Sequence, residues 1–432
     1  MPEELQGSEF FGLDIMHLMG PGIGKQFWRL VCGKKYGASG NPLFMKPAVR
    51  REIGSAVALS ASSIPSAFTS CIIDMSHQAG SLKSIDWIDF MRYVVPTLLL
   101  EHVSDKHAKK AVFALSQVYD ITFQPVITDH DIRELVKHVC IWLTFLKNNV
   151  RQGKIKGSVF TISQHYLQHL DEIIRAMGPP KYYAAFAMER AIGEIKHKIN
   201  SPSAPGSNAG NVMVQLAAQR YADRIEAPKG QLPVKKRTVL SASTKLNEAE
   251  IWGPLWTADV QDFKKYGFEQ LLKVFWCIHI KNMEQVHPVI EAGARLWISE
   301  REIIGSSFRQ RDPSRRDDFY VRMVIDVDIS KTRKIKRKPK VYFGEVVFYF
   351  RHTQQRHTKL LALVKTWDVS LDTNGQPYLR RNCDSRLCIV SAGDIRSIAG
   401  IYTATSERRY IVWPEKKLLK EKDLGAITRL DY

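Results

Sequence analysis

The chain has 432 residues, room for about three units at roughly 150 residues each, and its 44% hydrophobic and 25% charged residues exclude disorder as the rule. Its 63 Lys and Arg against 44 Asp and Glu leave a formal net charge of +19, which gathers polyanions and supports sequence-independent nucleic-acid binding. The longest apolar stretches, such as 93–100, are far short of the ~20 residues of a bilayer span, and no N-terminal signal peptide is visible; a soluble intracellular protein is expected, with no membrane partner.

From Glu9 to about Asn200 apolar residues recur at helical spacing. Asp86, Trp87, Ile88 and Phe90 open one helix carried toward Pro96. Ile132, Leu135, Val136, Val139, Cys140, Leu143 and Leu146 make one stripe of another between Asp131 and Asn149, with Asp129 and Asp131 offering capping oxygens. Between Asn200 and about Leu246 the texture turns to Ser, Pro, Gly, Ala and basic residues, broken by a short helical pattern from Val212 to Arg224. Partial disorder is expected there around Ser201–Asn211 and Ala227–Ser243. A helical segment follows near Asp259–Asn282. Strands rich in Val, Ile, Phe and Tyr come next, at Phe319–Val327, Val341–Phe350, Leu360–Trp367 and Tyr410–Trp413, and Asn374-Gly375 signals a turn. The expected fold class is α+β, mainly α-helical at the N-terminus and ending in a small β-barrel-like or sandwich module. The expected units are 1–200, a basic Ser/Pro/Gly-rich linker at 201–246, and 247–432.

Six cysteines, at 32, 71, 140, 277, 383 and 388, form no CxxC pair, and Cys383 and Cys388 have no adjacent His. They read as free thiols in a reducing compartment rather than as zinc ligands.

Near the N-terminus stands Phe10-Phe11-Gly12-Leu13-Asp14-Ile15-Met16-His17, followed by Gly22-Ile23-Gly24-Lys25. On a helix Asp14 and His17 share a face, and an acid beside an imidazole positions water or a metal. The plainer reading makes Asp14 a helix cap and His17 a hydrogen-bonded histidine. The glycine run is no P-loop: the first glycine of GxxxxGK[ST] falls on Met19, and Gln26 replaces the hydroxyl residue. His165 and His169 lack the intervening Glu of an HExxH zinc site and read as packing or hydrogen-bonding residues. After Gly178-Pro179-Pro180, Glu189 opens a helix with Arg190, Lys196 and Lys198 near enough to make a phosphate-facing surface. A glutamate favoured by the helix dipole is the plainer account of it.

Taken in order, Asp14-Ile15-Met16-His17, Gly22-Ile23-Gly24-Lys25-Gln26, Asn41-Pro42-Leu43-Phe44, Ile85-Asp86-Trp87-Ile88-Asp89-Phe90, His165-Tyr166-Leu167-Gln168-His169-Leu170 and Phe186-Ala187-Met188-Glu189-Arg190 resemble the latter half of CACTA-type (En/Spm) transposases, particularly fungal forms. The resemblance runs from about Phe10 to Arg224 and more loosely through the strands; the order of the motifs carries it. It implies descent from an RNase H-like nuclease, in which acidic residues hold two divalent ions for in-line attack on a phosphodiester. It further implies that Asp14 and His17 match the Asp-x-x-His motif preceding the final glutamate, that Glu189 is the candidate for that glutamate and metal ligand, and that the helical region is the insertion and C-terminal remnant of the RNase H-like fold.

The first two catalytic aspartates of such an enzyme precede the Asp-x-x-His motif, and only thirteen residues precede Asp14. The expectation is therefore a truncated transposase-like protein that binds DNA and is inactive alone. Mg²⁺ or Mn²⁺ is expected only if a complete site is assembled, for example with the upstream catalytic portion of a transposase. Two basic clusters, Lys235-Lys236-Arg237 and the acid-free run containing Arg333, Lys334, Lys336, Arg337 and Lys338, suit nuclear localisation or phosphate binding, or are simply solvated loops. The alternative is a non-enzymatic nuclear DNA-binding or protein-interaction module of the same descent. A hydrolase unrelated to transposition is weaker, since neither a nucleophile elbow nor a zinc signature is found.

Overall fold

In the computed structural model the described residues are 13–68, 74–199, 204–226, 239–240, 249–280, 283–299, 302–309, 316–328, 336–404, 406–415 and 418–426. The apolar periodicity of the first half becomes helices: α1 Ile15–His17, α2 Lys25–Val31, α3 Pro47–Leu59, α4 Met75–Gln78, α5 Ser84–Asp89, α6 Lys106–Thr122, α7 Asp129–Arg151, α8 Ile162–Tyr166, α9 Leu170–Met177, α10 Phe186–Lys198 and α11 Pro205–Glu226. Two π-helical segments, Leu18–Gly24 and Phe90–Leu99, each contain a proline. Pro96 therefore does not end its helix as the sequence suggests. The wider π turn carries the chain on to Leu99, and Thr97 Oγ1 donates to the Tyr93 carbonyl within it.

The cap of helix α7 lies one residue ahead of Asp129, the first of the two expected caps. Thr128 is the N-cap, and Asp131 closes a capping box with it: Asp131 N–H donates to Thr128 Oγ1 at 3.2 Å and Thr128 N–H to Asp131 Oδ2 at 2.9 Å. Ile132, Leu135, Val139 and Leu146 of the expected stripe are buried, with Trp142 among them. Val136 is 40% exposed and Cys140 is exposed, because this edge of the stripe lines a cleft rather than the core. Inside the expected linker, α11 starts at Pro205, earlier than the apolar pattern suggests. Proline at the first helical position needs no N–H partner, so it starts the helix without loss.

The strands are β1 Val239–Leu240, β2 Glu250–Asp259, β3 Val289–Ser299, β4 Glu302–Ile304, β5 Tyr320–Asp328, β6 Arg337–Gln354, β7 His357–Trp367, β8 Ser370–Leu371, β9 Pro377–Leu379, β10 Ser385–Ser391, β11 Ile395–Ile398, β12 Gly400–Thr403 and β13 Arg409–Val412, with α12 Phe268–Cys277 between β2 and β3. The chain is thus α+β, a helical N-terminal region followed by antiparallel sheet. Strands β1-β2-β3-β6-β5-β11 run in that spatial order, with β4 beside β3, β7 beside β6 and β10 beside β7, while β12-β13-β9-β8 form a second sheet. Among the described residues the ladders of the larger sheet do not close into a barrel. Asn374-Gly375 turns the chain between β8 and β9 as expected, where Asp372 Oδ1 accepts the N–H groups of Asn374 and Gln376, both at 2.8 Å.

One apolar core runs through both halves, from Ile15 and Phe27 to Tyr402 and Val412. Polar contacts bind them as well. Ser63 Oγ donates to the Ile401 carbonyl at 2.7 Å, Tyr410 Oη to Glu101 Oε1 at 2.9 Å, and Arg92 to the Pro414 carbonyl at 2.6 Å. The Arg92 guanidinium is buried beside Asp120, 3.3 Å away, which is the pairing a buried charge requires.

Candidate functional site

Asp14, His17 and Glu189 come together. Asp14 is the N-cap of α1, with Oδ1 accepting the Met16 N–H at 3.1 Å, as the plainer reading expects. The same oxygen accepts the Ala185 N–H at 3.0 Å, while Oδ2 bonds the His17 Nδ1. Ala185 is the residue before α10, and its carbonyl takes the Glu189 N–H at 2.8 Å. This places Glu189 Oε1 3.8 Å from His17 Nε2. Gly178 ends α9, the segment Pro180–Tyr182 makes a single 3-10 turn, and α10 then starts against Asp14. Burial pushes the Asp14 carboxyl upward, yet the Ala185 N–H, the His17 ring and the Met16 N–H outweigh it and hold the group below the usual carboxylate range.

The cluster is an acid–imidazole–acid chain open to water, with the His17 and Glu189 side chains about half exposed. Such a chain orients the imidazole, but its exposed ion pair adds little stability. It does not fit a divalent ion. Both Asp14 oxygens are engaged, His17 stands between the two carboxylates, and among the described residues no three His, Cys, Asp or Glu side chains gather as a metal site. No phosphoryl-transfer step follows from these three residues alone.

The glycines behind His17 serve packing. A Cβ on Gly20 would stand 2.8 Å from the Ser84 Cα, and one on Gly22 2.8 Å from Ser163 Oγ. The π-helical segment therefore lies directly on the start of α5 and on α8. Gln26, where a P-loop would have its hydroxyl residue, is buried in a polar chain that the sequence did not reveal. Its Nε2 donates to the Val159 carbonyl at 2.8 Å and to Tyr36 Oη at 3.1 Å, and its Oε1 accepts Gln164 Nε2 at 2.8 Å. Trp142 Nε1 completes the chain on Gln164 Oε1 at 2.9 Å. Buried amides of this kind persist when every group has a partner.

His165 and His169 face each other with their Nε2 atoms 3.3 Å apart, and His169 Nδ1 lies 3.0 Å from Glu172 Oε2, an exposed hydrogen-bonded arrangement. His165 also borders a cleft of about 590 Å³ between α7 and the segment 160–171. Arg190, Lys196 and Lys198 are exposed on α10, where Lys198 and Arg220 of α11 both approach Glu194, at 3.8 and 3.0 Å. Lys235, Lys236, Arg237, Arg333 and Lys334 lie outside the described residues. Lys336, Arg337 and Lys338 are exposed, and Arg337 and Lys338 already belong to β6, paired with Asp328 and Val327 of β5 rather than sitting in a loop.

Comparison of the chain with protein families, characterised proteins and solved structures gives no match.

Proposed function

We propose that this chain binds duplex DNA and descends from a CACTA-type transposase, acting in the nucleus. The observation that carries the reading is the meeting of the Asp14-x-x-His17 motif with Glu189, which the resemblance requires and which rests on the Asp14–Ala185 bond between residues 171 apart in sequence. The net charge of +19 supports a polyanionic partner. Because the three side chains do not make a metal site, DNA binding is the activity assigned, and strand cleavage calls for further carboxylates, such as those of a separate catalytic portion.

The test is equilibrium binding to a fluorescent duplex across a salt series, followed by incubation with Mg²⁺ or Mn²⁺. Affinity that falls steeply with salt and intact strands are expected. Absence of binding at low salt overturns the DNA reading. Robust cleavage lost in Glu189→Gln overturns the assignment of binding without chemistry.

A protein-interaction role of the same descent is favoured by one feature. Helices α10 and α11 leave Met188, Ile192, Val214 and Tyr221 between 49 and 69% exposed, an apolar surface that a polyanion does not need. Self-association insensitive to salt, without duplex binding, would select it.

A further inference from the structure

We infer that duplex DNA lies on a cationic face built where two acid-free stretches of the chain meet, with Lys34, Lys35, Arg151, Lys154 and Lys156 at its centre. This deepens the DNA-binding reading and rests on it. The 44 acidic residues in 432 average about one in ten, yet none occurs from Ile15 to Arg51 or from Leu135 to Leu170. Those two stretches carry seven and five lysines and arginines.

The fold brings them together. Lys156 N–H donates to the Tyr36 carbonyl at 3.0 Å, and the Gln26 side chain reaches the Val159 carbonyl at 2.8 Å. A Cβ on Gly40 would lie 3.6 Å from Lys154 Cγ, so the loop after Lys35 rests against the loop after α7. The second loop is folded back on α7 by the N–H groups of Lys154 and Ile155, which donate to the Asn149 carbonyl at 2.9 and 3.3 Å. Ile155 and Tyr36 are buried as anchors, at 2% and 1% exposure, and the cations beside them in sequence are exposed. All five cations are exposed, and among the described residues none makes an ion pair.

Like charges gathered without acids repel one another, and a polyanion relieves that repulsion while releasing its counterions. The Tyr36 ring, 5.7 Å from the Lys35 ammonium, is buried and so offers no open face to an unstacked base. The face suits the phosphates of a duplex rather than the bases of a single strand.

The experiment compares the full chain with Lys34→Ala/Lys35→Ala/Lys154→Ala/Lys156→Ala and with Lys336→Ala/Arg337→Ala/Lys338→Ala, each confirmed folded by circular dichroism. The readout is the slope of log affinity against log salt for one duplex. At about 0.9 per phosphate contact, the first variant is expected to lose about three to four from the slope, and arginine at the same four positions to restore it. Normal binding by the wild type with an unchanged slope in the first variant overturns the inference and leaves the DNA reading standing, most plainly if the strand variant is the one that loses affinity. No binding by the wild type overturns both. A preference for single strands, abolished by Phe160→Ala at the neighbouring cleft, also overturns the inference.

Discussion

The carboxylate of Asp14 accepts the backbone N–H of Ala185 at 3.0 Å, so one side chain both caps α1 and fixes the start of α10. The cap reading of this residue holds, and the oxygen that caps α1 is the one that takes the Ala185 N–H. Asp14→Ala removes the cap, and a loss of about 1 kcal/mol is expected in urea unfolding, within the range measured for helix N-caps. Asp14→Asn keeps most of the cap and loses less. The folded group titrates below its unfolded value of about 3.9, so its contribution is fully present above that pH and is lost as pH falls through the lower folded value. Stability curves of the wild type and Asp14→Asn should therefore converge only in acid, and equal separation at pH 7 and in strong acid would remove the assignment.

The glycines of the first π-helical segment give a second prediction. Gly20→Ala drives a methyl into the Ser84 backbone and is expected to destabilise by about 1–3 kcal/mol. Gly22→Ala meets chiefly the Ser163 side chain, with the His17 carbonyl at 3.1 Å, so Ser163→Gly should recover part of its loss, whereas Ser84→Gly should recover little for Gly20→Ala. Double-mutant cycles in urea measure both couplings. Equal rescue at the two positions would mean that the backbone approach at Ser84 is not what excludes a side chain.

His352 provides the third, in the strand half. It is 1% exposed, its Nδ1 accepts Trp276 Nε1 at 2.9 Å, and its Nε2 donates to the His287 carbonyl at 3.0 Å, an arrangement that fits the neutral ring. Burial pushes its pKa down, assisted by the charge of His287 and opposed by the bond to the His287 carbonyl. With the folded pKa below the unfolded value of about 6.5, its contribution is complete above pH 6.5 and declines as pH falls toward the folded value. The difference in stability between wild type and His352→Gln should shrink from pH 7.5 to pH 5.5. A difference that grows on acidification would show the ring to be charged in the folded state.

Much of this architecture was legible in the chain. Helix α7 and strands β5, β6, β7 and β13 fall where apolar periodicity and β-branched residues placed them, because burial on one face leaves its spacing in the sequence. Helix α11 was legible only in part. Among its described side chains Val212 alone is buried, so packing left no stripe, and Pro205 and Gly206 looked like loop residues. The π-helical run through Pro96 was hidden by a rule that holds for α-helices. Within the site, the Asp14–His17 spacing was visible, but the Ala185 contact was not, because a backbone N–H carries no residue identity. The acid-free stretches were written plainly in the sequence; only the contact of Lys156 with Tyr36 shows that they form one surface.

Strand β6 belongs to three apolar clusters at once. Tyr342, Val346 and Tyr349 lie in the core shared with the helices, Val347, Phe348 and Phe350 face α12, and Phe343 joins Trp413 beneath the small sheet. Its backbone is meanwhile tied to β5, β3 and β7. A strand gripped on every side has no partial route out: its amides should be the last to exchange with heavy water, and the helical and strand halves should melt in a single transition rather than in turn.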